Sequence, residues 1–130
     1  MIAIDTNVLV RVLIDDIAQI EQVKLARQFV EKHSQLFISQ LVQAELVWVL
    51  DYSYKFTKSE IVYFLKHLSE NASFILQYED QFVAALQLFQ ESNVNFSDCL
   101  ILQASRDEGC QLVTFDKKLS KLSQVKLLTR

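Results

Sequence analysis

The sequence predicts an α/β fold built on a mainly parallel sheet. Short apolar runs that suit buried strands alternate with longer stretches whose apolar residues recur near the helical period. The chain has 130 residues, of which 51% are hydrophobic and 22% charged, so it can bury one core. Proline is absent, glycine occurs once, and no linker or repeat is visible. We therefore expect a single domain over residues 1–130.

Local patterns predict the elements of the first half in order. The predicted elements are a strand over 1–5, a helix over about 7–14, a helix over about 17–33 and a strand over 36–38. The acidic pair Asp15-Asp16 separates the first two helices. Ser39 suits the N-cap of the next helix. Thr57 and Glu60 have the spacing of a capping box, which predicts a further helix start.

The second half continues the alternation of strands and helices. The predicted elements are a strand over 73–76, helices over about 79–92 and 97–108, a strand over 111–116, a basic helical turn and a strand over 125–128. Gly109 suits the position after the second of these helices, where a left-handed residue is common. Strands that alternate with helices indicate a parallel sheet flanked by helices.

Four acidic residues lie in otherwise apolar segments. Asp5 and Asp116 end the apolar runs of two predicted strands, while Glu45 interrupts one apolar helical stretch and Asp98 opens another. Burying a carboxylate is costly unless a cation compensates it. Because no Lys or Arg occurs in these segments before Lys117, a shared divalent cation is the economical explanation.

The predicted topology allows these acids to converge on one cleft. Asp5 and Asp116 follow the carboxyl ends of strands, where open α/β sheets place their ligand sites. The helical neighbours of Glu45 are apolar, so we expect its side chain to point with them and away from water. Four converging carboxylates repel one another without a metal but suit Mg²⁺ or Mn²⁺, which support phosphoryl chemistry.

The motifs around these acids resemble those of a known family. They are Asp5-Thr6-Asn7, the lone Glu45, Phe96-Ser97-Asp98-Cys99-Leu100-Ile101 and Thr114-Phe115-Asp116-Lys117-Lys118. In this order and over essentially the full length, they resemble the PIN-domain nucleases, and most closely the VapC toxins of type II toxin–antitoxin pairs. One departure is Cys99, where many relatives have alanine.

The resemblance implies a three-layer fold with a five-stranded parallel sheet and an endoribonuclease that depends on Mg²⁺ or Mn²⁺. By the same resemblance, Asp5, Glu45, Asp98 and Asp116 are the catalytic and metal-binding quartet, with Thr6, Asn7 and Thr114 as polar support. Cleavage of RNA by metal-activated water would leave a 5′-phosphate and a 3′-hydroxyl. The implied partners are RNA and a cognate VapB-like antitoxin, and we also expect a homodimer.

Each acid also has a structural interpretation. Asp5 could cap a helix, Asp98 could be a first-turn acid, and Asp116 could be a turn residue, whereas Glu45 is the hardest to explain in this way. The alternative function is a catalytically silent PIN-like domain that binds protein or RNA. A haloacid-dehalogenase-like phosphatase would need an Asp where Asn7 stands, and a phospho-receiver domain would need an acceptor Asp after the strand at 73–76.

Charge is distributed unevenly along the chain. The net charge is −3, yet residues 117–130 contain five basic side chains and no acid. We expect Lys117, Lys118 and Lys121 to hold an RNA backbone, although a solvated basic tail is the competing interpretation. The first residues lack the basic region of a signal peptide, and no apolar run is long enough to span a membrane. We therefore expect a cytoplasmic protein without membrane contact.

Several other residues have structural interpretations. We expect buried thiols at Cys99 and Cys110, and surface or boundary positions for His33 and His67. Trp48, Tyr52 and Phe56 recur at helical spacing, which we interpret as mainly core, with any excess at a dimer contact or an antitoxin groove. The remaining acids are expected in loops or at exposed helix ends; these are Asp15, Asp16, Asp107 and Glu108.

Overall fold

The computed structural model describes residues 1–130, in which helices alternate with short strands. In chain order the elements are β1 (Ile2–Ala3), α1 (Thr6–Leu13), α2 (Ile20–Glu31), β2 (Leu36–Ile38), α3 (Gln40–Tyr52), α4 (Lys58–Glu70), β3 (Phe74–Leu76), α5 (Glu79–Glu91), α6 (Phe96–Asp107), β4 (Leu112–Thr114) and β5 (Val125–Leu127). Short 3₁₀ helices occur at Ile17–Gln19 and Leu119–Lys121. The predicted α/β class is confirmed, and every strand pair is parallel.

The five strands form two sheets, where the sequence predicted one. The chain divides into two compact units, Met1–Glu79 and Asp80–Arg130. The first contains a three-stranded sheet in the order β1-β2-β3, and the second contains the pair β4-β5. Strand patterns in a sequence indicate which residues are extended but not which strands share hydrogen bonds. With only two or three residues per strand, few such bonds are available to join them.

The core of the first unit is made by helices packed against its sheet. α1 packs against α2 and α3, and α4 packs against β3. Its fully buried side chains are mostly aliphatic and include Leu9, Ile38, Leu46, Leu50, Leu65 and Leu68. One polar side chain joins them, because Gln43 donates hydrogen bonds through Nε2 to the carbonyls of Ile38 (3.2 Å) and Gln77 (2.9 Å). Gln43 thereby ties α3 to the ends of β2 and β3.

The core of the second unit centres on a phenylalanine cluster. The ring of Phe96, at the start of α6, meets those of Phe82 and Phe89 from α5 edge to face, at centroid distances of 5.7 and 5.8 Å. Such edge-to-face pairs add to the free energy gained from burial. Arg106 donates from Nη2 to the carbonyl and hydroxyl of Ser123, which links the end of α6 to the segment before β5.

Local capping predictions are confirmed. The hydroxyl of Ser39 accepts from the Val42 amide, and Thr57 and Glu60 form a reciprocal capping box. Gly109 adopts a left-handed φ of +69° directly after the C-cap of α6. The predicted helix over 17–33 is instead a 3₁₀ turn followed by α2, because Asp16 caps the turn by accepting from the Ala18 amide.

Of the two cysteine predictions, one is confirmed and one is wrong. Cys99 is fully buried in α6, as expected. Cys110 is exposed, so the prediction of a second buried thiol is wrong. It lies in the turn after Gly109, before β4 begins at Leu112, and that turn keeps its side chain at the surface.

No helix is both long enough and apolar enough to cross a membrane. The longest helices, α3, α4 and α5, have 13 residues each. A membrane-spanning helix needs about 20 residues.

Candidate active site

Asp5 stands at the carboxyl end of β1 and begins α1. Its Oδ1 accepts a hydrogen bond of 3.0 Å from the Val8 amide, so the carboxylate caps the helix. The residue is exposed, and the cap uses only one of its two carboxylate oxygens. Capping and ligand binding are therefore compatible at Asp5.

Glu45 is exposed, so the prediction that it points away from water is wrong. Its helix, α3, buries Val42, Leu46 and Leu50 on one face. The neighbouring face, which includes Glu45, is also apolar but is not covered: Leu41 is 69% exposed and Trp48 59%. Because α3 is apolar nearly all round, its sequence did not indicate which face would pack.

Asp5 and Glu45 follow the same edge of the first sheet. Asp5 follows β1, and α3 follows β2, the parallel neighbour of β1. α1 and α3 also pack against each other. The structure therefore places these two acids after the carboxyl ends of adjacent strands, as parallel α/β sheets do with ligand-binding residues.

Asp98 and Asp116 come together in the second unit. Asp98 lies in the first turn of α6, where its amide donates to the N-cap Asn95 at 2.9 Å. Partial burial raises the pKa of the Asp98 carboxyl, the nearby Asp116 carboxylate raises it further, and a hydrogen bond from Asn95 acts in the opposite direction. Two carboxylates that repel each other in a partly dry setting are stabilised by a shared cation.

Asp116 is held by the turn that follows β4. Its Oδ1 accepts from the Leu119 amide at 3.0 Å, and its own amide donates to the hydroxyl of Thr114 at 3.0 Å. Thr114 therefore supports the backbone of Asp116 directly. Of the other two predicted supporting residues, Thr6 is buried at the start of α1 and Asn7 is exposed beside Asp5.

The donor set suits a hard divalent cation. Mg²⁺ is usually held by one or two carboxylates, with water and substrate phosphate completing its shell. Asp98 and Asp116 supply two such carboxylates, and a bound cation would relieve the repulsion between them. No group of three or more His, Cys, Asp and Glu side chains is gathered into a ready-made metal site. Convergence of all four acids stays a prediction.

The three predicted RNA-binding lysines follow Asp116 and are exposed. Lys121 ends the 3₁₀ helix Leu119–Lys121, whose first amide is the one that Asp116 accepts. The Ser120 hydroxyl donates to the Lys117 carbonyl at 2.7 Å, which shapes the same turn. Three cationic side chains are therefore carried on a turn that Asp116 itself organises.

A sequence profile of the PIN domain matches residues 2–125, nearly the whole chain. The chain belongs to the PIN-domain family. It is also similar to a VapC ribonuclease from Aquifex aeolicus (strain VF5), with 27% identity over 124 residues, which cover 92% of this chain and 90% of that protein. The resemblance drawn from the four acidic motifs is confirmed, and membership of the PIN-domain family suggests a nuclease.

Sequence analysis missed a polar network in the first unit. Arg11 donates to the Tyr54 hydroxyl at 3.0 Å, and that hydroxyl donates to Asp16 at 2.7 Å. Asp16 is therefore half-buried and paired, which corrects its interpretation as an exposed loop acid. The available signal was Arg11 itself, the only charged residue within the apolar helix α1.

A groove of about 760 Å³ also lies in the first unit, next to Asp5. Its polar lining includes Asp5, Asn7 and Arg11, and much of the remainder is apolar, with Leu25 and Phe29 from α2. Of the residues of α2, only Val23 and Ala26 are buried. The helix therefore forms a wall of the groove as well as part of the core.

Proposed function

We propose that this PIN-domain protein is a metal-dependent endoribonuclease that acts as the toxin of a type II toxin–antitoxin pair. The observation that carries the proposal is the carboxylate pair of Asp98, which is half-buried, and Asp116, which is exposed. Partial burial raises the pKa of Asp98, and the nearby Asp116 carboxylate raises it further. In a PIN-domain chain, such a pair suits the divalent cation that phosphodiester hydrolysis uses.

In this proposal the four acids have different roles. Asp98 and Asp116 would hold Mg²⁺ or Mn²⁺, and Asp5 and Glu45, both exposed, are the other two acids of the proposed quartet. Thr114 accepts from the amide of Asp116 and so keeps it in position. Thr6 and Asn7, which follow Asp5 directly, are the other proposed polar supports of the acids. The bound cation would activate water and stabilise charge on the phosphate.

The proposed hydrolysis is a displacement at phosphorus. The oxygen of water bonds to phosphorus, the bond from phosphorus to the 3′ oxygen breaks, and that oxygen takes a proton. The products are a 5′-phosphate and a 3′-hydroxyl. Lys117, Lys118 and Lys121 hold the RNA backbone through contacts that depend on charge and not on sequence.

We further propose that the chain works as a single domain in the cytoplasm with two protein partners. A VapB-like antitoxin would place an apolar segment in the groove beside Asp5 and so cover the acidic site. The protein would also form a homodimer, for which its many exposed large apolar side chains offer area. Light scattering of the free protein and of the antitoxin complex measures both assemblies.

The second candidate function is a catalytically silent PIN-like domain that binds RNA or protein. The absence of any ready group of three metal-ligating side chains favours it. Titration with Mn²⁺ separates the two candidates, since a silent module needs no metal.

The test is cleavage of an end-labelled single-stranded RNA in Mg²⁺, in Mn²⁺ and in EDTA. We expect cleavage only with metal, and loss of both cleavage and Mn²⁺ affinity in Asp98→Asn and Asp5→Asn, because a neutral amide is a poorer ligand. Glu70→Gln, an exposed acid on α4, is the matched control and should behave as the parent. Cleavage in EDTA, or unchanged calorimetric affinity in both site variants, would overturn the proposal.

A further inference from the structure

One face of α3 exposes large side chains along its length. Leu41, Glu45, Trp48 and Tyr52 follow at helical spacing, and Trp48 and Tyr52 are 59% and 61% exposed. The interpretation of these aromatic residues as mainly core is therefore wrong for Trp48 and Tyr52, and only Phe56 is half-buried. We call the side chains of Trp48 and Tyr52, together with Lys55, the α3 platform.

The two rings of the platform are already arranged for stacking. Trp48 and Tyr52 lie nearly parallel, with an interplanar angle of 19° and centroids 4.9 Å apart. Each is held by its neighbour, yet more than half of its surface faces solvent. Rings ordered before binding lose little conformational freedom when a flat ligand stacks on them.

A cation is fixed beside the rings. The Lys55 Nζ lies 5.5 Å from the centroid of the Tyr52 ring, in the range of a cation–π contact. Lys55 has a left-handed φ of +56°, which is costly for a residue with a side chain. The turn around it is held by the Phe56 amide, which donates to the Leu50 carbonyl at 3.1 Å. This hydrogen bond folds the chain back, so that Lys55 lies close to the end of α3.

We propose that the α3 platform stacks unpaired bases of a single-stranded RNA, with Lys55 binding the adjoining phosphate. The inference rests on the proposed nuclease function, because it places substrate beside Glu45. By the rise of a helix, Trp48 lies about 5 Å and Tyr52 about 10 Å along the axis from Glu45. Aromatic stacking and a nearby cation are the features by which proteins bind single strands without reading their sequence.

The chemistry of the platform favours RNA over a second copy of the chain. The cores of protein interfaces are depleted of charge, whereas the platform is bordered by the Glu45 carboxylate and contains the Lys55 ammonium. A duplex keeps its bases stacked inside the helix, so the platform would select RNA that is single-stranded at this position.

Trp48 is the only tryptophan in the chain, so its fluorescence reports on the platform alone. We expect a short single-stranded RNA, added in EDTA to prevent cleavage, to quench this fluorescence. The same RNA as a duplex, or with the bases removed from its centre, should leave the fluorescence nearly unchanged. Quenching of equal size by all three ligands would overturn the proposal.

Variants then measure the contribution of each ring. By fluorescence anisotropy of a labelled single strand, we expect Trp48→Ala and Tyr52→Ala each to raise Kd about 5- to 100-fold, as loss of one base stack does. Trp48→Phe should restore much of the affinity. Tyr63→Ala is the matched control, because Tyr63 on α4 is an equally exposed aromatic outside the platform. Neither platform variant should alter binding of the abasic strand.

The contradicting outcomes are separable from failure of the proposed nuclease. Unchanged affinity in both platform variants overturns the inference, even if the parent cleaves RNA with metal. A dimer that Trp48→Ala converts to monomer, with RNA affinity intact, assigns this face to a second copy and also overturns it. A parent that binds RNA but never cleaves it removes the nuclease function, while the anisotropy result still decides the platform.

Discussion

The charge of Asp98 lowers the stability of the folded chain, but the proposed metal binding requires it. Partial burial and the Asp116 carboxylate both raise the pKa of Asp98, so its charged form is disfavoured in the folded chain. Sites that bind cations accept this kind of cost, because the bound ion removes the repulsion. The native chain without metal should therefore be less stable than the same chain without this charge.

We expect Asp98→Asn to stabilise the metal-free protein at pH 7. A carboxyl whose pKa is raised on folding contributes its full stability below its unfolded pKa, about pH 4, and loses that contribution as pH rises through the folded value. The advantage of the variant should therefore disappear in acid. Urea unfolding in EDTA from pH 3 to pH 8 measures this, and added Mn²⁺ should stabilise the parent more than the variant. A parent as stable as the variant at every pH would contradict the prediction.

Tyr54 joins residues distant in sequence through one hydroxyl. It accepts from Arg11 and donates to Asp16, which lie 43 and 38 positions away. Burial is the main cause that raises the pKa of Tyr54, the Asp16 carboxylate adds to it, and Arg11 opposes it. The hydroxyl is thus a neutral bridge between a cation and an anion on the first unit.

Removal of this bridge should be measurable as stability. We expect Tyr54→Phe to lower the free energy of unfolding by about 1–3 kcal/mol, because partly buried polar groups lose a partner. Urea unfolding at pH 7 gives the value. Tyr63→Phe serves as the control, since Tyr63 is 68% exposed. A loss no larger than that of the control would show that Arg11 and Asp16 do not need the hydroxyl.

Among the elements, the basic turn after β4 has two competing roles. The salt dependence of RNA affinity distinguishes them. The turn begins at Asp116 and presents Lys117, Lys118 and Lys121 to solvent. If it holds an RNA backbone, each phosphate contact releases counterions and steepens the dependence of affinity on salt. A solvated basic surface would leave that dependence unchanged.

We expect replacement of all three lysines by Gln to weaken binding to every RNA. The loss of up to about three contacts should flatten the plot of log affinity against log salt by nearly that number, while Mn²⁺ affinity stays near the parent's. The control replaces Lys24, Lys32 and Lys66, which are exposed in the first unit, and makes the same change in net charge. Equal salt slopes for the two triple variants would assign these lysines to solubility alone.

For the whole molecule, the proposed function predicts toxicity. Expression without an antitoxin should arrest growth, and Asp5→Ala, Glu45→Ala and Asp98→Ala should each restore it at equal soluble level, because each removes a carboxylate of the proposed site. Asp116→Ala should be partial, because water can replace the exposed carboxylate of Asp116 more readily than the half-buried one of Asp98. Glu70→Ala is the control. Growth arrest by folded Asp98→Ala as strong as the parent's would contradict the hydrolytic mechanism.

Features that depend on neighbours in sequence were predictable from the sequence. The caps at Ser39 and Thr57 and the left-handed Gly109 each involve groups within a few residues, so their residue types were sufficient to predict them. The PIN-domain family was identified because four carboxylates stood out in apolar segments, and the family profile matches residues 2–125. The roles of the four acids stay a prediction. Strand and helix order followed from apolar periodicity, with element ends shifted by a few residues.

Features that depend on which surfaces meet were decided only by the tertiary structure. The sequence of α3 is apolar nearly all round, so packing alone determined that Leu46 is buried while Glu45 and Trp48 are exposed. The strand patterns did not specify that five strands would pair as three and two. The pairing of Asp98 with Asp116 and of Arg11 with Tyr54 likewise joins distant positions. Periodicity identifies the faces of an element, but burial depends on the free energy of contacts with other elements, which no local pattern contains.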